Sequence, residues 1–300
     1  MTHTQLHVFI TVAETRNFTR AAEALGFTQS AVSQMIRSLE DELGITLFSR
    51  SRSGIAITSI GERMLQHARE MLRITSCMKE EADAYQGIET GTLRIGSIHS
   101  VSNRILPGLI GSFRKRYPQV EIVLFEGEHA EVNHWLAGSV VDVGFTIHPE
   151  KDVHVFPLVR DEMLVVVPDD HPLRTEAALS FEQIADKCFI MLKDDCMKKL
   201  LHENGIVPVS TFEVRDAGTI LAMVQEWVGV TILPELYMPD RLPKVAPIPL
   251  RPAISRELVM AVRDLQTVSP MTAEFILHAQ SVFAAKEKST HATVARSTAD

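Results

Sequence analysis

Residues 17–54 constrain this chain more than any other stretch. Ala21, Ala22 and Leu25 fall on one helical face, Gly26 interrupts the run, and Ala31, Val32, Met35, Ile36 and Leu39 recur at helical spacing on a second helix. The opposite face of that helix carries Thr28, Gln29, Ser30, Ser33, Gln34 and Arg37. Two short helices at a sharp turn, the second lined with hydrogen-bonding side chains, form the helix-turn-helix pattern. The second helix is then shaped to enter a DNA major groove. Gln matches adenine edges, Arg matches guanine or phosphate, and Ser and Thr suit either. Thr19 is placed to cap the first helix and offer its N–H groups to a phosphate, and Thr28 to cap the second. After Gly44, residues 45–57 hold β-branched side chains, a Gly54 turn, and Arg50 and Arg52 at alternating positions. That predicts a two-stranded wing whose arginines meet the DNA backbone. The pattern alone also fits an ordinary helical hairpin with a polar outer face.

Phe18-Thr19-Arg20-Ala21-Ala22-Glu23-Ala24-Leu25, Gln29-Ser30-Ala31-Val32-Ser33-Gln34, Leu39-Glu40, Leu43-Gly44, Leu47-Phe48, Arg50, and Thr58 with Gly61 closely resemble the N-terminal domain of LysR-type transcriptional regulators. The likeness runs nearly unbroken through this region. It implies a double-stranded DNA operator as partner, with RNA polymerase as a further one.

Charge has to be read by segment. The chain carries a net −8, which opposes DNA binding as a whole. Residues 1–60 hold five arginines (Arg16, Arg20, Arg37, Arg50, Arg52) against five carboxylates (Glu14, Glu23, Glu40, Asp41, Glu42), so the acidic surplus lies beyond them. Local positive potential on the second helix and wing survives that balance. Its modest size predicts that one domain binds weakly and that copies must assemble. Residues 59–86 supply the means. Thr58, or Ser59 in a box with Glu62, can cap a helix. No proline follows until Gly87 stops the run, and Met64, Ala68, Met71, Thr75, Met78, Ala82 and Tyr85 recur at spacings of four and three, widened by Leu65 and Leu72. This predicts a long helix pairing with a second copy. The resemblance names it the linker helix that dimerises the DNA-binding domains, with pairing into a tetramer as the family often does.

Beyond residues 87–92 the pattern alternates between strands and helices. Strands are expected at 93–98, 120–125, 141–146, 163–168, 189–192, 212–214, 230–234 and 258–262. Helices are expected at 104–117, 129–136, after a Ser180 cap, near 197–203, after an Asp216 cap, and at 272–285. Such alternation predicts an α/β fold of two units with a cleft between them. Gly91-Thr-Leu-Arg-Ile-Gly96, residues 113–118, Asp142-Val-Gly144, residues 169–173 and Gly229-Val-Thr-Ile-Leu-Pro234 are similar to the effector domain of LysR-type proteins, which looks like a periplasmic solute-binding protein. One departure stands out: Trp227 occupies a position where that family usually has glycine, the residue that adopts positive φ without steric cost.

The expected architecture is therefore multidomain α/β. It comprises an N-terminal winged helix-turn-helix (1–58), a long linker helix for dimerisation (59–87), and a C-terminal bilobed periplasmic-binding-protein-like α/β effector domain. Lobe I is expected at 92–161 plus 266–286 and lobe II at 162–265. The Ser/Thr/Ala-rich residues 287–300 read as a disordered tail.

Hydrophobic residues at 45% and charged residues at 23% are ordinary for a soluble protein. No apolar run reaches the ~20 residues that span a bilayer. No signal peptide is apparent, and three scattered cysteines oppose a disulfide framework, so a cytoplasmic protein is expected. Catalytic constellations are weak. Glu128-His-Ala-Glu131 with His134 contains a His-x-Glu fragment, but no Pro-Cys-x-x-Cys follows, and a solvated helix surface explains it better. Gly108-Leu-Ile-Gly111 lacks a third glycine and a preceding strand. No enzyme, metal or cofactor is expected.

The effector site is expected where the first strand ends in Ser97, His99 and Ser100, where another ends in Thr146, and, across the cleft, at Asp216 and Thr231. Hydroxyls and helix N–H groups there favour a small organic anion, with His99 adding charge when protonated. Ser97, Ser102 and Asp216 are alternatively helix caps. Two competing readings stay open: a solute-binding protein, opposed by the DNA motif, and a thiol-based redox regulator. For the latter, Cys196 lies beside Asp194 and Asp195, which would raise its pKa, with Cys188 the nearest partner.

Overall fold

The computed structural model describes residues 1–51, 54–193, 201–203, 205, 207, 210–239 and 244–297, with backbone alone at 50, 51, 54, 210 and 285–297. The N-terminal unit contains α1 (His3–Thr15), α2 (Phe18–Leu25), α3 (Gln29–Leu43), β1 (Phe48–Ser51) and β2 (Gly54–Ile57). Its core is built from Val8, Phe9 and Val12 of α1, Ala21 and Ala22 of α2, Val32, Ile36 and Leu39 of α3, and Leu47. The sequence pattern marks no element before residue 17. In the structure α1 occupies that stretch, closed at its start by a capping box between Thr2 and Gln5.

The cap of α2 is Asn17, not Thr19. The Asn17 carboxamide oxygen accepts the N–H groups of Thr19 (2.8 Å) and Arg20 (3.2 Å). Thr19 already lies inside the first turn, so its own N–H is one of the orphan donors that need a cap. Thr28 caps α3 as expected, accepting from the Ala31 N–H. The strands β1 and β2 pair antiparallel, Phe48 opposite Ile57 and Ser51 opposite Gly54, and form the expected wing. Glu40 holds that wing to α3: its Oε1 accepts the Leu47 and Phe48 N–H groups.

Helix α4 (Ser59–Tyr85) is 27 residues long and is capped by Thr58 rather than Ser59. Gly61 is required there. A Cβ would lie 2.4 Å from the Leu47 carbonyl oxygen, so only glycine lets α4 start against the wing. The predicted apolar stripe divides. Met64, Leu65, Ala68 and Leu72 pack into the N-terminal core. Met71, Thr75, Met78, Ala82 and Tyr85 stay exposed, as does Ile74 beside them.

The C-terminal domain comprises β3 (Gly91–Ile98), α5 (His99–Arg104), α6 (Leu106–Arg116), β4 (Val120–Gly127), α7 (His129–Ala137), β5 (Val143–Thr146), β6 (His154–Pro168), α8 (Phe181–Ile184), β7 (Cys188–Leu192), β8 (Ser210–Val214), α9 (Ala217–Gln225), β9 (Thr231–Pro234), β10 (Val245–Pro249), β11 (Ser255–Val262) and α10 (Pro270–Ser297). The helix expected at 104–117 arrives as α5 and α6, with Pro107 in the first turn of α6, where its missing N–H costs least. The helix expected near residue 197 lies largely outside the described residues.

Lobe I is a sheet in the order β6-β11-β5-β3-β4, with β3 parallel to β4 and β5. Its helices bury Phe113, Phe145 and Phe275 at its centre. Lobe II pairs the second half of β6 with β9 and β10, and β7 with β8. The 15-residue strand β6 therefore belongs to both lobes. Its return partner is β11, which pairs with β6 from Ser255 and with β5 from Val259. Lobe I resumes before residue 266: the ladder to β5 from Val259 and the burial of Leu258, Met260 and Val262 in its core place residues 258–262 in it. Helix α10 is helical in backbone to Ser297, beyond residue 286, where a disordered tail was expected. Residues 287–297 contain neither glycine nor proline, and propensity therefore allows a helix there.

Candidate DNA-reading surface and effector cleft

Helix α3 presents its polar face to solvent. Gln29, Ser30, Gln34 and Arg37 are exposed, as are Thr19 at the start of α2 and the cap Thr28; Ser33 is half-buried. The Thr28 and Ser30 hydroxyls bond each other at 3.0 Å, which orders the beginning of the exposed face. Opposite it, Val32, Ile36 and Leu39 are buried, so the face has one orientation. Arg50 lies on β1 opposite Ile55 in the ladder, and Arg52 lies outside the described residues.

Between the lobes lies a cleft of about 1400 Å³. Of the six residues expected to meet a ligand, His99 and Asp216 line it. Ser97, Ser100, Thr146 and Thr231 are fully buried and do not. Ser97 donates to the Ile98 carbonyl at 3.2 Å, and neither it nor Ser102 caps α5, whose first turn has no side-chain cap. The hydroxyls of Ser102, Thr146 and Thr231 are buried without a hydrogen-bond partner among the described residues.

The cleft walls hold six carboxylates, Glu126, Glu128, Glu131, Glu203, Asp216 and Glu257, and three permanent cations, Lys193, Arg215 and Arg256. Most of the carboxylates are already engaged. Glu126 meets His99 at 2.8 Å. Glu128 and Glu131 form the reciprocal box that starts α7. Asp216 caps α9: it accepts the Thr219 N–H at 2.7 Å, the largest reason its carboxyl is held below the usual range, and the Thr219 hydroxyl and His99 across the cleft lower it further. The Glu128–Glu131 run, read as a solvated helix surface, is thus part of the cleft lip.

Arg256 is engaged too. Its Nε donates to Asp161 Oδ2 at 2.8 Å and its Nη2 to Ser100 Oγ at 2.7 Å, and its guanidinium lies 5.7 Å from the Tyr237 ring centroid. Asp161 is buried and also accepts the Leu236 N–H. Ser100 and Leu236 pack with lobe I and Tyr237 with lobe II, so this pair on β6 and β11 sits where the lobes meet. Lys193 and Arg215 make no ion pair among the described residues. Sequence patterns could not single out Lys193, Arg215 or Arg256, because only the fold brings them to one cleft.

Trp227 answers the glycine departure. It takes the left-handed conformation (φ 59) at the end of α9, donating its N–H to the Val224 carbonyl, while Val228 donates to Met223. That is the C-terminal cap a glycine would make, reached at a cost of ~1–2 kcal/mol. The ring lies against His171, centroids 5.2 Å apart.

A winged helix-turn-helix joined by one long helix to a hinged two-lobe domain defines a DNA-binding regulator that answers to a ligand. Residues 3–62 match the bacterial regulatory helix-turn-helix proteins of the lysR family, and residues 86–284 match the LysR substrate binding domain. The chain belongs to the LysR family of transcriptional regulators, a family of regulators rather than enzymes. It is 35% identical over 292 residues to YvbU, an uncharacterised HTH-type transcriptional regulator of Bacillus subtilis (strain 168), covering 95% of this chain and 100% of that one. It is 26% identical to the transcriptional dual regulator GltC of the same organism, over 80% and 83% of the two chains. A full-length OxyR variant from Pseudomonas aeruginosa has a TM-score of 0.75 and 27% identity over 94% of both chains. Full-length CbnR complexed with its target DNA shares the fold, with a TM-score of 0.63 and 22% identity over 94% and 99%. Among the described residues no helix is long and apolar enough to cross a membrane.

Proposed function

We propose that this regulator acts in the cytoplasm as a dimer or tetramer, reads DNA through Gln29, Ser30, Ser33, Gln34 and Arg37, and holds phosphates through Thr19, Thr28, Arg50 and Arg52. Its effector is a small organic anion held between the lobes. The observation that carries the anion reading is the imbalance of commitments in the cleft. Five of its six carboxylates have partners, whereas Lys193 and Arg215 on the lobe II wall have no ion pair among the described residues. An acid group entering there meets two available cations, with His99 opposite. Of the residues named from sequence, His99 is retained as a contact. Asp216 shapes the wall as a cap, and Ser97, Ser100, Thr146 and Thr231 support it from beneath.

The DNA assignment is tested by gel shift on fragments that the wild-type protein selects from a random pool. Gln34→Ala should cost ~1–3 kcal/mol on the selected sequence and relax its preference, whereas Thr19→Ala should weaken binding to all sequences alike. Unchanged affinity and preference in Gln34→Ala would overturn the assigned face.

A further inference from the structure

The linker helix meets its own effector domain from Glu70 onward, and its densest polar contact there is at Glu70 itself. The first half of α4 belongs to the N-terminal core through Met64, Leu65, Ala68 and Leu72, and Arg69 pairs with Glu14 of α1 at 3.1 Å. The adjacent residue, Glu70, is held on three sides. Arg73 of the same helix donates to both its oxygens, at 3.0 and 2.7 Å. The Ser139 hydroxyl donates to its Oε2 at 2.9 Å. Arg263 reaches its Oε1 at 3.0 Å and also donates to Ser139 Oγ at 2.7 Å. Arg73 in turn donates to the Thr267 carbonyl. The Glu70 carboxyl is correspondingly held below its usual range, first by the Arg73 hydrogen bonds.

The partners of Glu70 have a particular origin. Ser139 follows the C-terminal end of α7, whose cap Glu128 and first residue His129 line the cleft. Arg263 follows the end of β11, whose first residues, Ser255 to Glu257, also line the cleft. Two elements thus run from the ligand cleft to a single carboxylate on the helix that carries the DNA-binding domain. Ser139 is held in a left-handed conformation (φ 51), so its hydroxyl is presented by a fixed turn.

We infer that Glu70 is a releasable clasp: lobe I, through Ser139 and Arg263, sets the angle of the linker helix, and movement of α7 relative to β11 at the cleft opens or closes it. This rests on the cleft being the effector site but not on the effector's identity. Two discrete arrangements of a packed ion network can carry such coupling, because both sites then bias one equilibrium.

Cys77 is a built-in reporter. It is buried beside the clasp, its thiol directed at the Thr267 carbonyl. Burial pushes the thiol pKa up, so it reacts slowly while the helix is docked. The test is the rate of maleimide labelling at Cys77 in the full-length protein, read by peptide mass spectrometry, with Cys188 as internal control. Glu70→Ala should raise the Cys77 rate at least tenfold and leave Cys188 unchanged. Ser139→Gly removes the hydroxyl while suiting the left-handed backbone, and should raise it severalfold in a protein of unaltered fold. Wild-type Cys77 rates in both variants would overturn the clasp. Arg256→Gln, which loosens the cleft end of β11, should change the Cys77 rate at least threefold from a distance. A change at the clasp variants but none in Arg256→Gln would overturn the relay from the cleft while leaving the effector site itself untouched.

Discussion

Single side chains at the junction of α4 and lobe I set how stability depends on pH. Glu80 is buried against Gly91, with one carboxylate oxygen lacking a hydrogen-bond partner among the described residues. Burial raises its pKa, and Asp142 beside it is raised for the same reason. The sign follows from linkage. A carboxyl whose folded pKa exceeds its unfolded value, about 4.3 for glutamate, binds its proton more tightly when folded. The stabilisation is full below that value and is lost as pH rises through the folded pKa. At neutral pH Glu80 therefore penalises the docked state. Glu80→Gln keeps an acceptor for the Thr92 N–H and removes the charge. It should melt higher than wild type at pH 7.5, with the gain vanishing near pH 4; calorimetric scans across that range check it. Equal melting temperatures at pH 7.5 would show the charge to be solvated.

Among the elements, α4 is where an assembly prediction belongs. With half of its stripe absorbed by the N-terminal core and another face clasped by lobe I, Met71, Thr75, Met78, Ala82 and Tyr85 of that stripe remain exposed, joined by Ile74. That row is the expected seam with a second copy. Met71→Glu would bury an unpaired charge there, and a cost of several kcal/mol is enough to separate a helix pair. Sedimentation should find a smaller species; an unchanged oligomer would place the seam elsewhere. The DNA-reading helices were legible because their apolar residues repeat every three or four positions and Gly26 marks the turn. The strand β6 was legible only in its second half. Residues 165–167 are a buried apolar run, whereas the first half contains Pro157 and charged residues and is largely exposed. The helix-end conformation at Trp227 was marked by the family's glycine, but nothing local showed that tryptophan would adopt it.

At the scale of the whole molecule, the cleft was legible as a place but not as a set of side chains. Strand ends pointed to Ser97, Ser100 and Thr146, yet those hydroxyls face inward, and residues from both lobes and the hinge make the walls. On the proposed reading, function at this scale is lobe closure on an acid. In a thermal-shift panel of small mono- and dicarboxylates, a cognate compound at 100 times its Kd should stabilise the protein by about 2.7 kcal/mol. That gain should disappear in a Lys193→Ala, Arg215→Ala double variant. Stabilisation that survives in the double variant would move the acid group off the lobe II wall.

The sharing of β6 and β11 between lobes also has a consequence for synthesis. Lobe II is inserted between two strands that pair with each other, so lobe I cannot close its sheet until residues 255–262 and helix α10 have emerged. The DNA-reading head and its helix are complete by Tyr85. At ribosomal speed the head precedes Arg263 and Thr267, its partners at the clasp, by roughly nine to thirty-six seconds. Each newborn chain therefore passes through an interval in which its DNA-binding end is finished and nothing yet holds it to the effector.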